Sequence, residues 1–175
     1  MTVPPPLPRS HPEFGRIRLL CTDVDGVLTD GGLYYGADGN ILTRFHVLDG
    51  HGLKTAQAAG IITCFVTMSD TDQIRRRAAD LRIDHCLSGI KDKVAAISAL
   101  IGELGIDWSE AAHIADDVND IGLLRKVALP VCVPNAVDDV RAICRYVTQR
   151  PGGTGAVREL CDALVASRSN ERPLP

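Results

Sequence analysis

From residue 17 onward the sequence alternates short apolar runs with stretches of helical period, and this alternation restricts the fold more than any other feature. Strands are expected at Ile17 to Thr22, Ile61 to Thr67, His85 to Leu87, Ala111 to Ala115, Leu129 to Val133 and Tyr146 to Thr148. Between and after them, helical patterns run over Gly50 to Ala59, Thr71 to Leu81, Asp92 to Leu104, Asn119 to Lys126, Val137 to Ile143 and Thr154 to Val165. Strand and helix in turn imply an α/β fold whose parallel sheet carries helices on both faces, because parallel neighbours need long right-handed crossovers. One stretch breaks the rhythm. Gly32 to Tyr35 and Ile41 to Val47 read as two strands joined by the turn-rich Gly36-Ala37-Asp38-Gly39-Asn40, a small β-hairpin inserted after the first strand.

A chain of 175 residues with 45% hydrophobic content can bury one core, and one domain is expected over residues 16–166. Residues 1–15 hold Pro4, Pro5, Pro6, Pro8 and Pro12, a density that blocks helices and sheet ladders, so this segment is expected to be a disordered arm. Residues 167–175, polar and ending in two prolines, are expected to be a disordered tail. A net charge of -3 offers no clustered positive field for nucleic acid or an anionic membrane. With apolar runs too short to span a bilayer and no apolar leader at the N-terminus, a soluble cytoplasmic protein is expected. The six cysteines are scattered without CxxC or zinc-like spacing and read as free, mostly buried thiols.

Two acidic clusters stand at predicted strand ends. The first strand runs into Thr22-Asp23-Val24-Asp25-Gly26, with carboxylates at i and i+2 where a parallel sheet presents its ligands. Two such acids repel unless compensated, and a hard cation such as Mg²⁺ would do so; Asp residues beside Gly26 also suit an ordinary turn. The strand expected at Ala111 to Ala115 runs into Asp116-Asp117-Val118-Asn119-Asp120, where Asp117 or Asn119 could equally cap the next helix. Thr67 closes another strand and Lys93 opens the following helix. A hydroxyl, backbone N–H groups and a lysine together can hold phosphoryl oxygens, although a single Thr at a strand end or a single surface Lys needs no such role.

In this order, Asp23-Val24-Asp25-Gly26-Val27, Thr67, Lys93 and Asp116-Asp117-Val118-Asn119-Asp120 resemble the four motifs of the haloacid dehalogenase superfamily of phosphatases. Within it, Phe45-His46-Val47-Leu48-Asp49-Gly50-His51-Gly52 and Gly152-Gly153-Thr154-Gly155-Ala156-Val157-Arg158-Glu159 resemble the 3-deoxy-D-manno-octulosonate 8-phosphate phosphatase family and related nine-carbon sugar acid phosphatases. The resemblance implies a Rossmann-like fold with no large cap domain and a magnesium-dependent hydrolysis of a small phosphate ester. It casts Asp23 as nucleophile and Asp25 as acid and base. Mg²⁺ would be held by Asp23, the backbone carbonyl of Asp25, and Asp116, with Asp117 or Asp120 orienting the set. Thr67, Lys93 and Arg158 would bind substrate, and the family's assembly implies a homotetramer whose hairpin and C-terminal segment help form a neighbour's site.

Two positions depart from the family pattern. Thr67-Met68-Ser69 stands where Thr-Gly-Arg is usual, removing a guanidinium from the substrate side. Ala115 replaces the common Gly before the paired acids, a mild change if its φ is negative and a straining one if it is positive. Three readings follow: a sugar acid phosphatase, a phosphatase retuned to another sugar or nucleoside phosphate, or a homologue that binds without turnover.

Overall fold

The computed structural model describes residues 4–169. Its centre is a six-stranded, all-parallel sheet in the order β5-β4-β1-β6-β7-β8, built from β1 (Leu19–Thr22), β4 (Ile62–Val66), β5 (His85–Leu87), β6 (Ala111–Ala115), β7 (Leu129–Cys132) and β8 (Tyr146–Val147). A separate hairpin pairs β2 (Tyr34–Tyr35) with β3 (Ile41–Leu42), Tyr34 opposite Leu42. The hairpin is the only insertion between β1 and the first long helix, and the Rossmann-like expectation with no large cap matches this architecture.

The sheet is buried on both faces because its strands are apolar on both. Along β1, Leu19 and Cys21 join a core cluster with Ile97, Leu100 and Leu123, while Leu20 joins the opposite cluster with Leu53, Ile74 and Leu160. Helices α3 (Lys93–Leu104) and α4 (Ile121–Leu124) therefore cover one face. Helices α1 (Val47–Ala58), α2 (Asp72–Leu81) and α6 (Ala156–Ser169) cover the other, and α5 (Asp138–Arg141) adds Val140 to that side. Local chemistry sets the starts: the Thr71 side chain accepts from Ile74 N–H and the Asp92 side chain from Ala95 N–H.

The chain runs outward from β1 to β4 and β5, then returns to β6 and continues outward the other way. The strand order thus reverses beside β1, and the carboxyl ends of β1, β4 and β6 open on one crevice, the position where open parallel sheets bind ligands.

Three expectations need correction. The proline-rich arm is not loose over residues 4–15: Leu7 donates its N–H to the Val147 carbonyl at 2.8 Å, and Val147 donates to the Pro5 carbonyl at 3.0 Å. Prolines are excluded from sheet interiors but are compatible with an edge, and here the arm covers the open edge of β8. A 3-10 turn at Pro12–Arg16 then buries Phe14 edge-on to Tyr146 at 5.6 Å. Apolar Leu7 and Phe14, spaced among the prolines, anchor the segment. At the other end Ser167 and Arg168 are helical, and Ser167 Oγ accepts from His11 N–H, so the expected tail does not begin at residue 167. Residues 170–175 lie outside the described residues. The helix expected over Asn119 to Lys126 is a 3-10 turn, Val118–Asp120, followed by the single-turn α4.

Candidate active site

At the carboxyl end of β1, Asp23 continues the sheet by donating its N–H to the Ile114 carbonyl at 3.0 Å, which fixes its side chain in the crevice. The chain then turns sharply, Leu28 and Thr29 donating back to the Val24 carbonyl. Gly26 permits the turn through a φ of +76°, and a methyl group there would overlap the Asp116 carboxylate. Asp23 and Asp116 can share a crevice only because that position lacks a side chain.

Asp116 follows β6, Thr67 follows β4 and Lys93 opens α3, so three strand ends and one helix start meet. The Lys93 ammonium, buried, lies 2.9 Å from Asp23 Oδ1 and 2.8 Å from both carboxylate oxygens of Asp120. Asp120 also faces His113 Nε2 at 2.7 Å, and His113 Nδ1 faces the Cys21 carbonyl at 3.2 Å. The buried row Asp23, Lys93, Asp120, His113 is thus joined by hydrogen bonds from end to end, with the Lys93 ammonium between its two carboxylates.

The structure places Asp117, Asp120 and Thr67 differently. Asp120 is fully buried and braces Lys93, whereas Asp117 is exposed and caps the turn at Val118 N–H, 2.7 Å away. Thr67 is buried, and its hydroxyl accepts from Ser69 N–H at 3.1 Å. Ala115 sits in β6, and among the described residues Arg82 alone outside the glycines has a positive φ, so the extra methyl strains nothing.

A cavity of about 300 Å³ is lined by Asp23, Asp25, Thr67, Ser69, Asp116 and Asp117, with Met68 and Asn119 on its rim. Its electrostatics are unfavourable as they stand. Burial and the charge of Asp120 push the Asp23 carboxyl up to about 6 against the pull of Lys93. Burial, then the charges of Asp23, Asp117 and Asp120, push Asp116 up to about 7. At Asp120 burial also works upward, but the hydrogen bond and charge of His113 and the charge of Lys93 outweigh it and hold that carboxyl below its ordinary value. The Lys93 ammonium is taken up by Asp23 and Asp120, and no ion pair reaches Asp116 or Asp25 among the described residues.

Such a set fits a divalent cation. Among the described residues no three His, Cys, Asp or Glu side chains form a ready metal cage. Mg²⁺ needs none, since it binds through one or two carboxylates and completes its shell with carbonyl, water and phosphate oxygens.

Arg158 is not brought to this cavity. It donates Nε to Asp162 at 2.7 Å and lines a separate cleft of about 610 Å³ between the N-terminal segment and α6. Its larger volume does not make that cleft the site, because it lacks the convergent acids and lysine. The Gly152-Gly153 pair does reach the loop that carries Asp23. Gly152 N–H donates to Asn135 Oδ1 at 2.8 Å, Asn135 Nδ2 donates to the Gly26 carbonyl at 2.9 Å, and a methyl at Gly152 would overlap that carbonyl. Asn135 and His113 were not singled out by sequence; a polar His in an otherwise apolar five-residue strand was the available signal for the latter.

Residues 87–160 match the model of the haloacid dehalogenase-like hydrolases. The chain is 39% identical over 152 residues to the 3-deoxy-D-manno-octulosonate 8-phosphate phosphatase of Escherichia coli, covering 87% of this chain and 81% of that one. The chain belongs to this phosphatase family. A crystal structure of the Moraxella catarrhalis phosphatase with magnesium ion, phosphate ion and KDO superposes with a TM-score of 0.87 at 37% identity, covering 90% of this chain and 91% of that one. The cobalt-bound Haemophilus influenzae phosphatase superposes at 0.85 with 34% identity, covering 90% and 92%. Family membership makes the chain a phosphoric monoester hydrolase.

Proposed function

We propose that this chain is a Mg²⁺-dependent phosphomonoesterase that forms an aspartyl-phosphate on Asp23 and acts on a sugar acid phosphate, 3-deoxy-D-manno-octulosonate 8-phosphate or a nine-carbon analogue. The observation that carries the reading is the Lys93 ammonium held between Asp23 and Asp120 beneath the cavity. That ammonium keeps Asp23 ionised and in line for attack on phosphorus, and it offsets charge on the phosphoryl oxygens. Asp23, Asp116 and the Asp25 carbonyl would hold Mg²⁺, which when bound supplies positive charge to the phosphoryl group. Thr67 presents its hydroxyl to the same group. Asp25 protonates the departing alkoxide and then takes a proton from the water that cleaves the aspartyl-phosphate.

A second reading, a phosphatase retuned to another sugar or nucleoside phosphate, is favoured by Met68 and Ser69, which put no guanidinium on the cavity rim. Phosphate release from a panel of sugar acid, neutral sugar and nucleoside monophosphates separates the two. Metal-dependent turnover that disappears in Asp23→Asn is expected, and the best substrate names the reading. A folded protein with no turnover and no Mg²⁺ binding would overturn both in favour of a homologue that does not catalyse.

The homotetramer belongs to the same proposal. Leu33, Tyr35 and Leu42 on the hairpin are 70%, 69% and 64% exposed, an apolar surface suited to a second copy. Sedimentation should give about four chains per particle, falling on Leu33→Asp; a monomeric parent protein would refute the assembly. The free cysteines fit a reducing cytoplasmic setting.

A further inference from the structure

The place where the family pattern loses its arginine is occupied by a hydrogen bond. Ser69 Oγ donates to Asp25 Oδ2 at 2.5 Å, a short contact of the kind made to a carboxylate. Ser69 itself is held on both sides: its N–H donates to Thr67 Oγ1 at 3.1 Å, and its carbonyl accepts from Gly89 N–H at 3.1 Å. Asp25, in contrast, is an exposed side chain on the turn after β1. A fixed hydroxyl thus grips one oxygen of an otherwise free carboxyl group.

We propose that Ser69 is a positioning residue for proton transfer, fixing Oδ2 of Asp25 so that Oδ1 faces the leaving-group oxygen. The inference rests on the phosphatase reading, in which Asp25 is the acid and base. Because Oδ2 accepts the Ser69 proton, the acid proton of Asp25 resides on Oδ1. As an Asp23 oxygen bonds to phosphorus, the bond from phosphorus to the ester oxygen breaks with its electron pair staying on that oxygen. Oδ1 gives that oxygen its proton and becomes a carboxylate. In the second step Oδ1 takes a proton from water, the water oxygen bonds to phosphorus, and the bond to Asp23 breaks to restore its carboxylate and release inorganic phosphate. Without the Ser69 hydroxyl, Asp25 pivots about its side-chain torsions and the aligned fraction falls.

The test compares a leaving group that needs a proton with one that does not. The Mg²⁺-loaded parent protein, Ser69→Ala, Ser69→Thr and Asp25→Asn are assayed on glycerol phosphate and on p-nitrophenyl phosphate, taking kcat/KM because it reports steps up to departure of the leaving group. The ratio of glycerol phosphate to p-nitrophenyl phosphate kcat/KM should fall about tenfold in Ser69→Ala, recover in Ser69→Thr, and fall further in Asp25→Asn. An unchanged ratio in Ser69→Ala alongside a collapsed ratio in Asp25→Asn would overturn the role of Ser69 alone. A ratio unchanged in Asp25→Asn would instead remove Asp25 as the acid, and the phosphatase mechanism proposed above would fall first.

Discussion

His113 shows how a residue set back from the cavity can govern one beside it. Its ring is fully buried, yet both nitrogens find oxygen partners, and one of these, Asp120, holds the lysine that pairs with Asp23. Replacing His113 by Phe keeps the ring volume and removes the donor, leaving a buried carboxylate with Lys93 alone. The expected cost is about 1–3 kcal/mol, since an unsatisfied buried group forfeits its solvation without return. Urea unfolding should show it as a lower midpoint at unchanged slope. Turnover should fall with little change in KM, because Lys93 shifts relative to Asp23 while the outer cavity is untouched. A variant as stable and active as the parent would show that Asp120 is held by Lys93 without help.

At the scale of elements, Asp49 links α1 to α6. It is buried, and although burial pushes its carboxyl up, it accepts from Arg158 N–H at 2.9 Å and Gly155 N–H at 3.2 Å. These are orphan donors at the start of α6, so Asp49 caps a helix from another helix. Asp49→Ala should cost about 1–2 kcal/mol, read as a drop in Tm, with kcat reduced only as far as the Gly152-Gly153 support of the nucleophile loop loosens. The sequence stretches around Asp49 and Gly152 carry the family resemblance; in the fold Asp49 holds α6, and Gly152 holds the loop that carries Asp23. Legibility divides along the same line. Every sheet strand and the hairpin could be read, because period and turn residues are local signals. Asp23 and Asp116 stand out as acids at strand ends, and Lys93 is drawn in only by the order of the family motifs. The edge pairing of Leu7 and the cap given by Asp49 are contacts between segments far apart in the chain, and the bracing by His113 and the placement of Arg158 away from the cavity depend on where side chains turn once the sheet has formed. No periodicity encodes such contacts, and the proline count at residues 4–12 pointed away from the first of them.

For the whole molecule, the acids of the crevice tie stability to metal and pH. Burial and like charges raise the carboxyls of Asp23 to about 6 and Asp116 to about 7 in the folded protein, against about 3.9 for an unfolded Asp. A raised carboxyl binds more protons folded than unfolded, so its ionisation works against the fold. In metal-free protein the contribution of both groups is most favourable below about pH 4 and is progressively lost as pH rises to about 7. Mg²⁺ held by these two carboxylates would reverse the balance, because it would bind the ionised forms and displace their protons. The rise in Tm on adding saturating Mg²⁺ should therefore be larger at pH 8 than at pH 5, where proton and metal compete for the same oxygens. Binding should release protons at pH 6, measurable as a calorimetric heat that changes with the ionisation enthalpy of the buffer. Asp116→Asn removes one of the two titrating groups and one ligand together, so it should flatten the metal-free pH dependence and abolish most of the Mg²⁺ response. A Mg²⁺ shift in Tm equal at both pH values would mean that the two carboxyls are not the groups the metal holds.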